Sequence, residues 1–217
     1  MDKLRIAIDG PSGAGKTTIA KGLAAALNID YVDTGSMYRA VGYKMIRDGI
    51  TLEDRDALKA MLQDTKIDFD KGNVLLDGEV ISDRIRTPEI SKMASDCSAF
   101  AEVREKLVSL QREMGQTKSV VMDGRDIGTN VLTDAEYKFF LTATLEERAR
   151  RRFLELQEKG TPQPLADVEA DMASRDYNDS HRPLNPLRKA DDAIEVDSTH
   201  MTAAEAMDYI MSVMKQE

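Results

Sequence analysis

Eight consecutive residues near the start of the chain, Gly10-Pro11-Ser12-Gly13-Ala14-Gly15-Lys16-Thr17, fit the spacing G-x-x-x-x-G-K-[ST]. Three glycines let the backbone curl with its N–H groups aimed inward, where a Cβ would intrude, and a helix beginning there adds its positive pole. The product is a cradle for phosphate. Gly10, Pro11, Ser12, Gly13, Ala14, Gly15, Lys16, Thr17 and Thr18 are the candidate ATP-binding residues. Lys16 is placed to neutralise β- and γ-phosphates, and the Thr17 hydroxyl suits Mg²⁺, a hard cation that shares its oxygen ligands with the nucleotide.

Further blocks carry the cations that a second anionic substrate would need. In Asp33-Thr34-Gly35-Ser36-Met37-Tyr38-Arg39 a turn opens a helix and sets Arg39 about one turn in. A guanidinium there can fork onto a phosphate; read alone, Arg39 is equally a surface arginine on an amphipathic helix capped by Thr34 or Ser36. The strand text Ser119 to Met122 runs into Asp123-Gly124-Arg125-Asp126-Ile127-Gly128-Thr129, a polar crest where doubly wound sheets bind ligands. Asp123 either helps to order Mg²⁺ through water or merely ends a turn.

Farther on, Arg148, Arg150, Arg151 and Arg152 precede Glu158-Lys159-Gly160-Thr161-Pro162, and Arg175, Asp179 and Arg182 fall in or just after the next helical stretch. A helix, a glycine-proline tip and an arginine-bearing return helix form a hinged cover that can expel water and bring cations to a transferring group. Successive helical residues point about 100° apart, so at least one of Arg150, Arg151 and Arg152 faces solvent. Arg148 and Arg152 share a face, directed to phosphate or to ion pairs with Glu146, Glu147 or Glu155. Arg175, Asp179 and Arg182 share one if their helix persists to Arg182.

The elements that must position these groups alternate along the chain. Leu4 to Ile8, Ile29 to Val32, Val120 to Met122, Lys138 to Leu141 and Ala193 to Val196 read as buried strands. Lys16 to Leu27, Ser36 to Arg47, Val103 to Glu113, Leu145 to Glu158, Val168 to Asp179 and Thr202 to Met214 carry apolar residues at helical steps. A parallel sheet covered by helices follows. Between Lys66 and Ser82, turn residues at Lys71-Gly72-Asn73 and Asp77-Gly78-Glu79 separate short apolar pieces, which predicts a small antiparallel meander. Helical text from Glu89 to Ala99 follows it, so an inserted subdomain is expected over residues 63–99. The core then comprises 1–62 and 100–217, with a lid at 155–170.

Composition narrows the function classes. A chain of 217 residues with 41% hydrophobic content can bury one sizeable core. A formal charge of −9 argues against a general nucleic-acid binder, and no apolar stretch approaches a membrane span. Cys97 is the sole cysteine, and His181 and His200 form no zinc pattern with it. Without a signal-like leader, a reducing cytoplasm is the expected location. A switch GTPase would need an Asn-Lys-x-Asp guanine reader, which the chain lacks; a kinase for some other metabolite is the alternative.

These blocks, with Ile8-Asp9-Gly10, Phe140-Leu141-Thr142-Ala143 and Arg175-Asp176 through Asp179 and Arg182, make the chain resemble the bacterial-type cytidylate kinases of the nucleoside monophosphate kinase family over nearly its whole length. The resemblance implies an α/β phosphate-loop three-layer sandwich: a five-stranded parallel sheet flanked by helices, with a small antiparallel monophosphate-binding insert and a helical lid. It implies transfer of the γ-phosphoryl of ATP, as its Mg²⁺ complex, to CMP or dCMP by a monomeric enzyme. Thr34, Arg39, Arg125 and Arg182 would serve the acceptor phosphate, Ser95, Arg104 and Asp126 the cytosine, Arg175 with Asp179 the sugar, and Asp197 to Thr199 the adenine, with Tyr38 also among the CMP-binding residues. Lys16, Arg125, Arg148, Arg152 and Arg175 would stabilise the transition state. Cytosine pairs a donor amine with acceptors at N3 and O2, so an acid such as Asp126 beside a fork such as Arg104 matches it; taken alone, Arg104 is an exposed helix charge.

Overall fold

The structure, a computed structural model, describes residues 3–70 and 72–215; Lys71, expected in the first meander turn, lies outside the described residues. The chain packs as two compact units, one formed by the segments up to Tyr31 and from Lys118 onward, the other by Val32–Thr117. The second unit is wider than the insert expected over 63–99.

Near-continuous apolar text, which suits strands covered on both faces, becomes β1 (Arg5–Asp9), β2 (Asp30–Asp33), β6 (Val120–Gly124), β7 (Tyr137–Thr142) and β8 (Ile194–Asp197). They form a parallel sheet in the order β2-β6-β1-β7-β8. Ile8 stands opposite both Asp123 and Phe139, and Asp9 opposite Gly124 and Phe140. The end of β1 is therefore the switch point of the sheet, the place where ligands are bound in such folds.

Behind it, Ile6, Ile8, Val121, Phe139 and Leu141 pack with Ile19 and Leu23 of α1 (Lys16–Leu27) and with Ala206 and Ile210 of α8 (Ala203–Met214). A capping box between Thr202 and Glu205 starts α8. Helices α6 (Leu145–Glu158) and α7 (Leu165–His181) have a small core of their own: Ala149, Leu156, Val168 and Met172. Helix α7 does not reach Arg182. That residue is extended, with φ −61° and ψ 141°, because Pro183 follows and disfavours helical geometry before it. The condition for a helical face shared by Arg175, Asp179 and Arg182 is thus not met in full.

The unit Val32–Thr117 holds α2 (Thr34–Arg47), α3 (Arg55–Asp64), the antiparallel β3 (Ile67–Asp70), β4 (Asn73–Leu76) and β5 (Glu79–Val80), then α4 (Pro88–Cys97) and α5 (Ala101–Thr117). Asp77 and Gly78 join β4 to β5 with φ of 54° and 86°, the pair of positive values that a two-residue hairpin turn requires. Asp77 also accepts the Lys66 N–H at 2.9 Å and Lys44 Nζ at 2.6 Å, which ties the hairpin to α2. Helices α2 and α4 approach closely at Gly42, where a Cβ would fall 3.0 Å from the Ala94 nitrogen. Helix α3 is absent from the sequence expectation. Its signals were Asp54, whose carboxylate caps the Ala57 N–H, and buried Leu58, Met61 and Leu62 at steps of three and one.

Candidate active site

The cradle forms because its glycines take conformations closed to other residues. Gly10, Gly13 and Gly15 have φ of 151°, 73° and 91°, and a Cβ on Gly10 would lie 1.9 Å from the Leu141 carbonyl oxygen. The segment from Gly10 to Gly15 so crosses directly over the end of β7 into α1, where Thr18 is exposed and Thr17 half-buried. Lys16 is 6% exposed and donates to the Pro11 carbonyl at 2.6 Å. Burial, and then the nearby charge of Arg125, push its ammonium down to about 7.

At the end of β6, Asp123 accepts the Thr17 hydroxyl at 3.1 Å and the Tyr31 hydroxyl at 2.8 Å. A hydroxyl and a carboxylate in contact beside a phosphate cradle fit a hard divalent cation. No group of three or more metal-ligating His, Cys, Asp or Glu occurs among the described residues, so phosphate and water oxygens would complete the shell.

The crest after β6 is a single π-helical turn, Ile127–Val131, rather than an open loop. Arg125 donates through Nε to Asp179 at 2.8 Å and through Nη1 to the Gly124 carbonyl. Burial opposes the Arg125 charge, yet Asp179 outweighs it and holds the guanidinium above its ordinary value. Burial likewise pushes the Asp179 carboxyl up, but Arg125, Arg182 and Arg175 bring it below the usual range. Arg182 Nη2 reaches Asp126 at 2.9 Å, and Asn130 donates to the other oxygen of that carboxylate at 3.0 Å. Arg182 also lies 3.8 Å from Asp179, which joins Arg125, Asp126, Asp179 and Arg182 into one ionic network, with Arg175 near enough to favour the charged form of Asp179.

The lid arginines divide. Arg148 is buried and donates to the Ala143 carbonyl at 2.8 Å, the Ser12 carbonyl at 2.9 Å and the Asp176 carboxylate. Asp176 in turn accepts the Ser12 N–H at 3.1 Å, so α6 and α7 together grip both peptide units that flank Ser12 in the cradle. Arg152 pairs with Glu155, and Arg150 and Arg151 with Glu147. Arg151 also donates to the carbonyls of Ser198 and Met201. In that Asp197–Thr199 segment the Asp197 carboxylate accepts the Thr199 N–H at 2.9 Å.

In the unit Val32–Thr117, Asp33 rather than Thr34 or Ser36 caps α2: its carboxylate accepts the Ser36 N–H at 2.9 Å, because the carboxylate sits one residue before the first helical turn. Arg39 pairs with Asp33 at 2.9 Å. Thr34 and Arg104 are buried, Tyr38 and Ser95 half-buried. Arg104 is 3% exposed, not the surface charge its helix pattern suggests, and its guanidinium lies 5.8 Å from the Tyr38 ring centroid.

Sequence reading missed Asp9 and Asp176. Asp9 is buried and accepts the N–H groups of Ile127 and Gly128 at 2.8 and 2.7 Å; burial pushes its carboxyl up to about 6 despite those donors. Its signal was an acid closing an apolar strand. Asp176 had only its place beside Arg175.

A glycine cradle at the switch point of a parallel sheet, a lysine in it and an acid against its threonine define a phosphate-loop nucleotide-binding protein. A gluconokinase from Sinorhizobium meliloti shares the fold with a TM-score of 0.50 at 13% identity, the match covering 98% of this chain and 94% of that one. Residues 6–216 match the family model described as cytidylate kinase. The chain is 48% identical to a cytidylate kinase of Caldicellulosiruptor bescii over 98% of its own length and 96% of the relative's. It is also 48% identical to one of Clostridioides difficile, with 98% of each covered. The chain belongs to the cytidylate kinase family, and with it to the ATP-dependent nucleoside monophosphate kinases.

Proposed function

We propose that the protein transfers the γ-phosphoryl of ATP to the 5′-phosphate of CMP or dCMP, yielding ADP and the diphosphate, as a cytoplasmic monomer. The observation that carries this reading is the pairing of a phosphate cradle with a separate guanidinium network, Arg125–Asp179 and Arg182–Asp126, at the carboxyl edge of the same sheet. One anionic substrate needs the first and a second needs the other. No helix is long and apolar enough to cross a membrane among the described residues.

In this reading, backbone N–H groups from Gly10 to Thr18 bind the donor phosphates, and Lys16 spans β and γ. Thr17 and Asp123 would hold Mg²⁺, Asp123 through water, and the chemistry it would supply there is positive charge against the donor phosphates. Thr34, Arg39, Arg125 and Arg182 take the acceptor phosphate, Ser95, Arg104 and Asp126 the base, and Arg175 with Asp179 the sugar, with Tyr38 also in the CMP site. The acceptor oxygen is already nucleophilic, so alignment and neutralisation of the equatorial oxygens supply most of the rate without a general base. Lys16 with Arg125, Arg148, Arg152 and Arg175 provides the positive charge, and the 155–170 lid serves to exclude water.

Release of ADP is measured with Mg²⁺-ATP and, separately, CMP, dCMP, UMP, AMP, GMP and shikimate. CMP and dCMP are expected to turn over fastest. No ADP above the acceptor-free background with CMP overturns the assignment.

A further inference from the structure

A helical turn presents N–H groups at its start that need acceptors. The π-helical turn Ile127–Val131 has none from its own neighbourhood: Asp126 precedes it with φ −144° and supplies no side-chain cap. The acceptor comes from the other side of the sequence. One carboxylate oxygen of Asp9 takes the Ile127 N–H at 2.8 Å, and the other takes the Gly128 N–H at 2.7 Å.

Asp9 is 4% exposed and is bonded to Gly10, the first residue of the cradle. The turn it holds begins immediately after Asp126 and returns Asn130 to the Asp126 carboxylate, while the Asn130 and Val131 N–H groups donate to the Asp126 carbonyl. A carbon at Gly128 in place of hydrogen would fall 3.4 Å from Asp9 Oδ2 and 3.2 Å from Lys138 Cδ, so backbone and carboxylate meet closely here. One side chain therefore fastens the donor cradle to the segment that carries Arg125 and Asp126.

We infer that Asp9 is a positioning residue, a remote helix cap that fixes the acceptor-recognising residues Arg125 and Asp126 relative to the phosphate loop. This rests on the proposed role of Asp126 in reading the acceptor base. The carboxylate is suited to the task because its two oxygens satisfy two parallel donors. An amide offers one acceptor and turns a second donor toward the remaining N–H. The perturbation is then a shift of the crest, and small misplacements of positioned groups cost roughly 10²-fold in rate.

Three measurements on the full chain test it, with Asp9→Asn as the first variant and Gly128→Ala, which presses on the same contact from the opposite side, as the second. Hydrogen exchange of the peptide covering Arg125 to Val131 is expected to quicken at least roughly tenfold in Asp9→Asn, and less in Gly128→Ala. In steady-state kinetics the KM for CMP should rise and kcat/KM for CMP fall by roughly 10²-fold, with the dissociation constant for Mg²⁺-ATP moving less than roughly threefold. Asp9→Asn combined with Asp126→Asn should cost little more than Asp126→Asn alone. Unchanged exchange in both variants overturns the cap. Faster exchange with full additivity, or a loss confined to ATP binding, overturns the positioning role. A wild-type protein inert toward CMP instead defeats the proposed function, while the exchange result still decides whether Asp9 holds the turn.

Discussion

Lys16 should take up a proton when the nucleotide binds. Burial and the Arg125 charge hold its ammonium down to about 7 in the protein alone, so at pH 8 about nine molecules in ten carry the neutral amine. A triphosphate beside it reverses the balance by supplying opposite charge, returning the group toward its ordinary value near 10.5. The bound state then holds more protons, and affinity must fall as pH rises above 7. Weighted by the fraction of charged lysine, the dissociation constant for Mg²⁺-ATP should rise about ninefold from pH 8 to pH 9, but only about twofold from pH 6 to pH 7. Titration calorimetry at pH 8 in two buffers of different ionisation enthalpy counts the protons directly. About 0.9 per ATP is expected, against near zero for Lys16→Met, and fewer for Arg125→Gln, which removes the second depressing charge. Wild-type uptake below about 0.2 at pH 8 would refute the picture of a lysine held neutral by burial.

Other outcomes follow from single contacts. Lys16→Ala should fold, by circular dichroism, and lose on the order of 10²- to 10³-fold or more in turnover; full activity would remove Lys16 from the chemistry. Asp126→Asn should harm CMP use more than UMP use, since an amide can donate to the uracil carbonyl, and equal losses in the two kcat/KM values would reject Asp126 as a base reader. Gly10→Ala places carbon 1.9 Å from the Leu141 oxygen and should cost at least about 2 kcal/mol in urea unfolding. Asp176→Ala leaves the Ser12 N–H and the buried Arg148 without their carboxylate; the melting temperature should drop by several degrees and ATP bind more weakly, and an unchanged melt would show the grip to be idle.

Local features were legible in the sequence because local physics sets them. The glycines of the cradle take the positive φ their spacing demands, and the predicted strand of each buried apolar run lies within one residue or so of β1, β2, β7 and β8. Lys16–Leu27 and Leu145–Glu158 match α1 and α6 at both ends. Three things escaped. Helix α3 did so because its apolar positions are few and its text polar. The π-helical turn did so because a glycine and an asparagine in Ile127–Val131 look like a loop, and the acceptor for its first two N–H groups, Asp9, is distant in sequence. The burial of Arg104 escaped because an arginine on an amphipathic helix is ordinarily solvated. Local text does not encode partners a hundred residues away, and those partners decide which charges are buried.

That is also why the arginine count alone misleads about chemistry. A buried guanidinium without a counter-charge is costly, and in the sheet unit the buried Arg182 and Arg148 are matched to Asp126 and Asp176, as the half-buried Arg125 is to Asp179. A guanidinium has five N–H donors, and Arg125 spends Nε on Asp179 and Nη1 on a carbonyl, so it can serve a phosphate oxygen without giving up its carboxylate. Arg148 differs: its Nε and Nη1 are committed to two carbonyls, of which Ser12 belongs to the cradle. Its positive charge can still act on phosphate across the loop, but its contacts shape the loop itself. Removing Arg148 should therefore disturb donor binding along with turnover, whereas removing Arg125 should fall on the acceptor and the rate, and that split separates a cation that builds the cradle from one that faces the transferring group.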